Sequence, residues 1–169
     1  RWGHATSRDA LHWTEGPIAL EPGDGDDGVW SGSIVRPEGE HAALFYTSVQ
    51  IPDVQIGRVR IARPDDVSWA SWSKGPDVAS LPEDVDAVAF RDPYVFHDGA
   101  TWRMIMGAGL TDGTAAALTF ASDDLRQWRY DGFLASRHRD ETDPIWTGAV
   151  WECPQLFPLG DRWILTVSV

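Results

Sequence analysis

One pattern recurs along this chain at a spacing of about sixty residues, and no other feature constrains the fold as tightly. The copies are SGSIVRPEGEHAALFYTS (31–48), FRDPYVFHDGATWRMIMGAG (90–109) and WECPQLFPLGDRWILTVSV (151–169). With Ser33, Pro93 and Pro154 in register, at separations of 60 and 61 residues, Gly39, Gly99 and Gly160 coincide. Ala42, Trp102 and Trp163 coincide next, each ahead of an apolar run. A second element interleaves with the first. TSRDALHW (6–13) matches ASDDLRQW (121–128), with Ser7 on Ser122, Asp9 on Asp124 and Trp13 on Trp128. ARPDDVSWASW (62–72) is its middle copy, lengthened by extra residues. Repetition at such a period marks units that bury their apolar faces against one another.

Within a unit the pattern is short strands separated by turn residues. YVFHDGATWRMIMGA (94–108) predicts a hairpin with Asp98-Gly99 at its turn. TAAALTFAS (114–122) predicts a third strand, and the Trp128 segment an outer fourth. Residues 73–89 are the most irregular stretch and predict an acidic, Pro-containing loop. No long amphipathic helix is visible. Four strands per repeat predict an all-β fold, a β-propeller with four-stranded blades; a β-sandwich would not need the repeat. The units fall at about 1–30, 31–90, 91–150 and 151–169, or about two and a half blades. The first and last are half-units, so the expectation is a partial propeller. Its open strand edges would invite pairing with another chain, a second copy included.

Composition narrows the partners. Hydrophobic residues are 43% of the chain, enough for a folded core, and the net charge is −12. Nucleic acid and anionic membranes need basic patches, so neither is an expected partner. A neutral sugar is indifferent to the sign. One cysteine excludes an internal disulfide and a cysteine-based metal site, and no cluster of metal ligands or cofactor motif is visible. No apolar run reaches about 18 residues, the length of a membrane-spanning helix. No signal peptide is visible and the first residue is not methionine, which leaves cytoplasmic and secreted locations both open. The ten tryptophans suit either a β-rich core or aromatic platforms for sugar rings. Trp13, Trp102, Trp128 and Trp163 occupy repeat positions and are expected in the core. Trp2, Trp30, Trp146 and Trp151 are the candidates for a sugar-facing wall.

Propellers hold ligands on the central axis, near the starts of the innermost strands. The aligned strand entrances here are VWSGS, FRDPY and WECPQ. They carry Ser31 and Ser33, then Arg91 and Asp92, then Glu152, where a bare repeat needs only strand formers. Two carboxylates and a guanidinium converging on one axis have the composition expected for glycoside hydrolysis. The alternative is a local Arg91–Asp92 ion pair and a solvated Glu152.

Taken together, RDP and ECP at this spacing, VWSGS between WGHATSRDALHW and RDP, and EGPIAL resemble glycoside hydrolase family 32 along the whole chain. That family comprises invertases, inulinases and levanases, which cleave β-fructofuranosyl bonds in sucrose or fructans. The resemblance implies a five-bladed propeller, often followed by a β-sandwich domain that has no counterpart in these residues. It implies cleavage with retention of configuration. It makes Glu152 the general acid/base and Asp92 the transition-state stabiliser, and it places Arg91, Trp30 and Ser31 at the sugar, with Trp151 as part of the wall. The family's nucleophile is an aspartate in an NDPNG-type motif of the first blade. No such motif occurs in this sequence, so the isolated chain is expected to be inactive. The alternatives are a non-catalytic carbohydrate-binding propeller of the same descent, a fructan-synthesising relative, or another five-bladed glycosidase.

The chemistry sets further expectations. A retaining enzyme places its two carboxyls about 5–5.5 Å apart, one to protonate the leaving oxygen and one to attack. The acid must keep its proton near neutral pH, and Trp151 with Cys153 is expected to wall it off from water. Asp92 is expected to stay ionised, held so by Arg91. Cys153 has no sequence-adjacent His to activate it and reads as a small buried thiol. Gln155 departs from the family, which commonly has Asp after ECP.

Overall fold

Twelve β-strands and no helix make up the regular structure of all 169 residues in a computed structural model. The strands are β1 (Ala5–Ser7), β2 (Trp13–Glu15), β3 (Gly28–Val35), β4 (Ala43–Val49), β5 (Arg58–Pro64), β6 (Trp72–Ala79), β7 (Ala87–His97), β8 (Trp102–Leu110), β9 (Thr114–Ser122), β10 (Arg129–His138), β11 (Glu152–Leu159) and β12 (Arg162–Ser168). They form two four-stranded antiparallel sheets, β3-β4-β5-β6 and β7-β8-β9-β10, flanked by the hairpins β1-β2 and β11-β12. Every connection within a sheet joins sequence neighbours, the meander of propeller blades.

The near-continuous apolar runs reflect burial on both faces. Side chains of a strand alternate between faces. On β4, Ala43 and Phe45 join the largest core cluster, while Leu44 and Tyr46 join a second on the opposite face. On β9, Ala116, Leu118 and Phe120 face the large cluster, and Ala115 and Ala117 face a third, against Trp151. The large cluster lies between the two full sheets and draws Phe45, Val59 and Ile61 from one and Phe90, Met104 and Met106 from the other. Truncating a ring such as fully buried Phe45 to Ala would cost about 3–5 kcal/mol.

Trp102 and Trp128 pack on this cluster, Trp128 edge-on to Phe45 at 5.7 Å. Trp13 and Trp163 do not behave as core: they are 62% and 51% exposed. Each sits in a two-stranded hairpin with too little sheet around it to cover an indole. Residues 73–79 are also not loop, because Ser73 and Lys74 pair with β5 and extend β6 to Ala79. Pro76 is tolerated there because β6 is an edge strand, where a missing N–H breaks no ladder.

The interleaved repeat is a turn. Ser7 Oγ accepts from Ala10 N at 2.9 Å, and Asp9 Oδ1 accepts from Leu11 N and His12 N. Ser122 and Asp124 repeat this geometry with Leu125, Arg126 and Gln127. The hairpin loop after β7 is closed by Asp98, whose Oδ1 accepts from Ala100 N and Thr101 N, with Gly99 in the left-handed region at φ 102°.

Each inner strand carries a β-bulge near its entrance. Trp30 and Ser31 on β3 oppose one residue of β4; Asp92 and Pro93 on β7 oppose one of β8; Cys153 and Pro154 on β11 oppose one of β12. Two residues against one is the bulge geometry that re-aims side chains. The β7 and β11 bulges coincide with the sequence register. The β3 bulge falls two residues earlier than that register. Proline fills the second, unpaired position on β7 and β11 because it has no N–H to leave unsatisfied. β3 has no proline there.

Candidate active site

The three bulges are stitched to one another. Asp92 adopts φ 66°, a left-handed conformation that Asp tolerates better than most residues. Its N–H donates to Thr47 Oγ1 at 2.8 Å, and that hydroxyl donates to Ser31 O at 3.0 Å. Its carboxylate Oδ2 accepts from Cys153 N at 2.9 Å, with Cys153 also left-handed at φ 45°. One level along, Ser33 Oγ donates to Pro93 O and accepts from Val95 N, both at 2.9 Å. β3, β7 and β11 therefore meet at Ser31, Asp92 and Cys153.

Arg91 and Glu152 form the second layer. The buried guanidinium sets Nε and Nη2 each 2.9 Å from Glu152 Oε1. Its Nη1 donates to Gln55 Oε1 at 2.7 Å. The Glu152 side chain is 44% exposed, so it can reach both Arg91 and an incoming molecule. Below it lies Gly107. A Cβ at Gly107 would run into Trp151 O and stand 3.2 Å from Glu152 Cα.

Two expectations about charge change. Arg91 does not pair with Asp92; its donors go to Glu152 and Gln55, across the axis rather than along the strand. Asp92 is buried, and burial pushes its carboxyl above the usual range, against the pull of Cys153 N–H and the nearby Arg91 charge. Cys153 is exposed rather than buried. Even so, desolvation and the Asp92 charge push its thiol up, the wrong direction for a nucleophile.

Of the expected wall, Trp151 is 7% exposed and packs with Ile105, Ala115 and Ala117. Its N–H donates to Thr147 O at 2.9 Å, so it offers no face to a sugar and does not wall off Glu152. Trp30 is half-buried beside Trp2, whose N–H donates to Trp30 O at 2.7 Å. Ser31 is exposed, and its hydroxyl lies near the Cys153 thiol. Trp146 is 56% exposed on the segment before β11.

Three participants were missed by motif reasoning: Thr47, Gln55 and Gly107. Thr47 had a signal, since a hydroxyl inside the buried run ALFYTSV needs a partner. Gln55 had none. A second charged cluster lies away from the axis. The fully buried Asp26 carboxylate takes Arg60 Nη1 and Lys74 Nζ at 2.9 Å each, with Tyr46 and Ser48. Burial alone would raise it, but these donors hold it below the usual range. It fixes the segment leading into β3. A groove of about 690 Å³ also lies elsewhere, between the second full sheet and the β11–β12 hairpin, where Phe96, Phe133, Leu156 and Trp163 meet the charged Asp98, Arg103 and Asp131.

Comparison with known proteins gives the family and the fold. The family description "Glycosyl hydrolases family 32 N-terminal domain" matches residues 1–169. The chain is 38% identical over 172 residues to sucrose-6-phosphate hydrolase of Bacillus subtilis, covering 99% of this chain and 34% of that protein. It is 34% identical to fructan 6-exohydrolase of Beta vulgaris, covering 94% of this chain and 27% of that protein. Among solved structures, the Bombyx mori beta-fructofuranosidase superposes with TM-score 0.81 at 26% identity, over 98% of this chain and 34% of that one. A mutant of the same Bombyx mori enzyme was solved in complex with sucrose. The chain thus spans about a third of the length of the curated relatives it matches.

Proposed function

The chain belongs to glycosyl hydrolase family 32, and from that premise we propose that it carries the acid/base side of a retaining β-fructofuranosidase site. The observation that supports this reading is Glu152, held by Arg91 next to buried Asp92 where three inner strands converge. Glu152 donates its proton to the glycosidic oxygen as the bond to the anomeric carbon breaks. It then takes a proton from the water that releases the fructosyl group. Asp92 is the transition-state stabiliser. A carboxylate that the protein has stripped of water interacts strongly with positive charge developing on the fructosyl ring. Arg91, Trp30 and Ser31 contact the sugar side of the site. The substrate is a fructose-containing saccharide, sucrose or a fructan. The nucleophilic carboxylate comes from outside these residues, because no NDPNG-type motif occurs among them. We read residues 1–169 as about two and a half blades, whose open edges at β1 and β12 could pair copies; solution mass by light scattering checks this.

Hydrolysis of sucrose and inulin by the full-length protein and by the 169-residue chain alone tests the proposal. The full-length protein is expected to be active and the isolated chain inactive. Glu152→Gln in the full-length protein is expected to lower kcat at least about 100-fold, the usual share of general acid–base catalysis. Near-wild-type turnover by that variant would remove Glu152 from the role.

A further inference from the structure

The loop between β4 and β5 lies against β7 instead of in solvent. Phe90 N donates to Gln55 O at 2.9 Å, Gly57 N donates to Phe90 O at 2.8 Å, and Ile56 bridges Phe90 in parallel. The approach is close: a Cβ on Gly57 would run into Thr47 Cγ2 and stand 3.1 Å from Phe90 O. Backbone contacts therefore dock the loop, and they bring the Gln55 side chain to Arg91.

The hydrogen bonds at Arg91 have a direction. A guanidinium only donates, so the amide must present its oxygen, as it does with Oε1 2.7 Å from Nη1. On the other side Nε and Nη2 converge on one atom, Glu152 Oε1. The guanidinium plane is held from two sides. Both Arg91 contacts to the Glu152 carboxylate fall on Oε1, leaving Oε2 for an incoming molecule. Glu152 sits beside a bulge and is half-exposed, so Arg91 is the main restraint on its rotamer.

We infer that Gln55 is a positioning residue for the acid/base: it sets the plane of Arg91, and Arg91 sets the direction of Glu152. The relay joins the first full sheet, the second full sheet and the β11–β12 hairpin through three side chains. It rests on the reading of Glu152 as the acid/base. The loop is docked by its backbone bonds to Phe90, and Gln55 is exposed, so water can take the place of its amide oxygen at Arg91 Nη1; loss of the amide therefore acts chiefly on turnover.

Four forms of the full-length protein test this on sucrose: wild type, Gln55→Leu, Glu152→Gln and the double variant. Gln55→Leu is expected to lower kcat about tenfold or more, in line with the cost of a misplaced catalytic group. KM and the thermal midpoint should stay near wild type. In the Glu152→Gln background the same change is expected to cost less than about twofold in kcat, because coupled residues do not add. Gln55→Met, which keeps the reach without the acceptor, should behave as Gln55→Leu. Unchanged kcat in Gln55→Leu, a rise confined to KM, or an equal loss in both backgrounds overturns the inference and leaves Glu152 in its role. Full activity of Glu152→Gln overturns the reading on which it rests.

Discussion

Thr47→Val isolates one hydroxyl and changes almost nothing else. Valine has the shape of threonine, so fully buried Thr47 would leave no cavity. What disappears is Oγ1, which accepts from Asp92 N at 2.8 Å and donates to Ser31 O at 3.0 Å. The two lost partners are not equal. Ser31 is exposed, so water can replace the donor to its carbonyl. Asp92 is 5% exposed, and its N–H would be left buried without an acceptor. An orphaned buried donor costs about 1–3 kcal/mol, and the variant should lose that amount.

Urea unfolding of the full-length protein reads the stability, and amide hydrogen exchange reads the site. The Asp92 amide should exchange faster in Thr47→Val while amides of the β8–β9 ladder keep their protection. Sucrose turnover should fall with it, because Asp92 holds its left-handed conformation against this one backbone support. Thr47→Ser is the control. It keeps the hydroxyl and removes a methyl, so it should lose about 0.8 kcal/mol of stability and little activity. If Thr47→Val left stability within about 0.5 kcal/mol of wild type and the Asp92 amide protected, Thr47 would not be what holds the bulge.

Asp92→Asn should abolish turnover yet stabilise the fold near neutral pH. The folded carboxyl titrates above its unfolded value, so wild type loses stability as pH rises from the unfolded value through the raised folded one. The variant's advantage in thermal midpoint should therefore be larger at pH 7 than at pH 3. Asp26 has the opposite sign, since its donors hold it below the usual range and its contribution is lost as pH falls through that depressed value. Asp26→Asn should cost about 3–5 kcal/mol in urea unfolding by leaving Arg60 and Lys74 buried without their anion. Gly107→Ala would push a methyl into Trp151 O and toward Glu152 Cα, and kcat for sucrose should fall with an added stability loss of about 1–3 kcal/mol.

The period put Arg91 and Glu152 at equivalent strand entrances 61 residues apart, and those two residues touch. Equivalent positions on neighbouring inner strands must approach one another, so the repeat alone brought Glu152 to Arg91. The partner of Arg91 was not legible in the same way. Sequence adjacency favoured Asp92, but the bulge turns Asp92 onto Cys153 N and frees the guanidinium to cross to the next strand. A bulge is a difference of one residue in pairing, and local composition does not encode it except where proline marks the unpaired position, as Pro93 and Pro154 do.

Trp151 shows the same logic in reverse. Trp151 stands just ahead of β11, and its indole packs into the core against Ile105 and Ala117 while Glu152 turns to Arg91. Indole richness suggested a sugar platform; the ring is instead buried at 7% exposure. Gln55 marks where sequence reading stops. Its role depends on a loop docking through backbone atoms onto a strand more than thirty residues later, a contact with no side-chain signature. The site is thus assembled from two kinds of information. Repeat positions bring the charged groups to one axis, and bulges and loop contacts decide which of them meet.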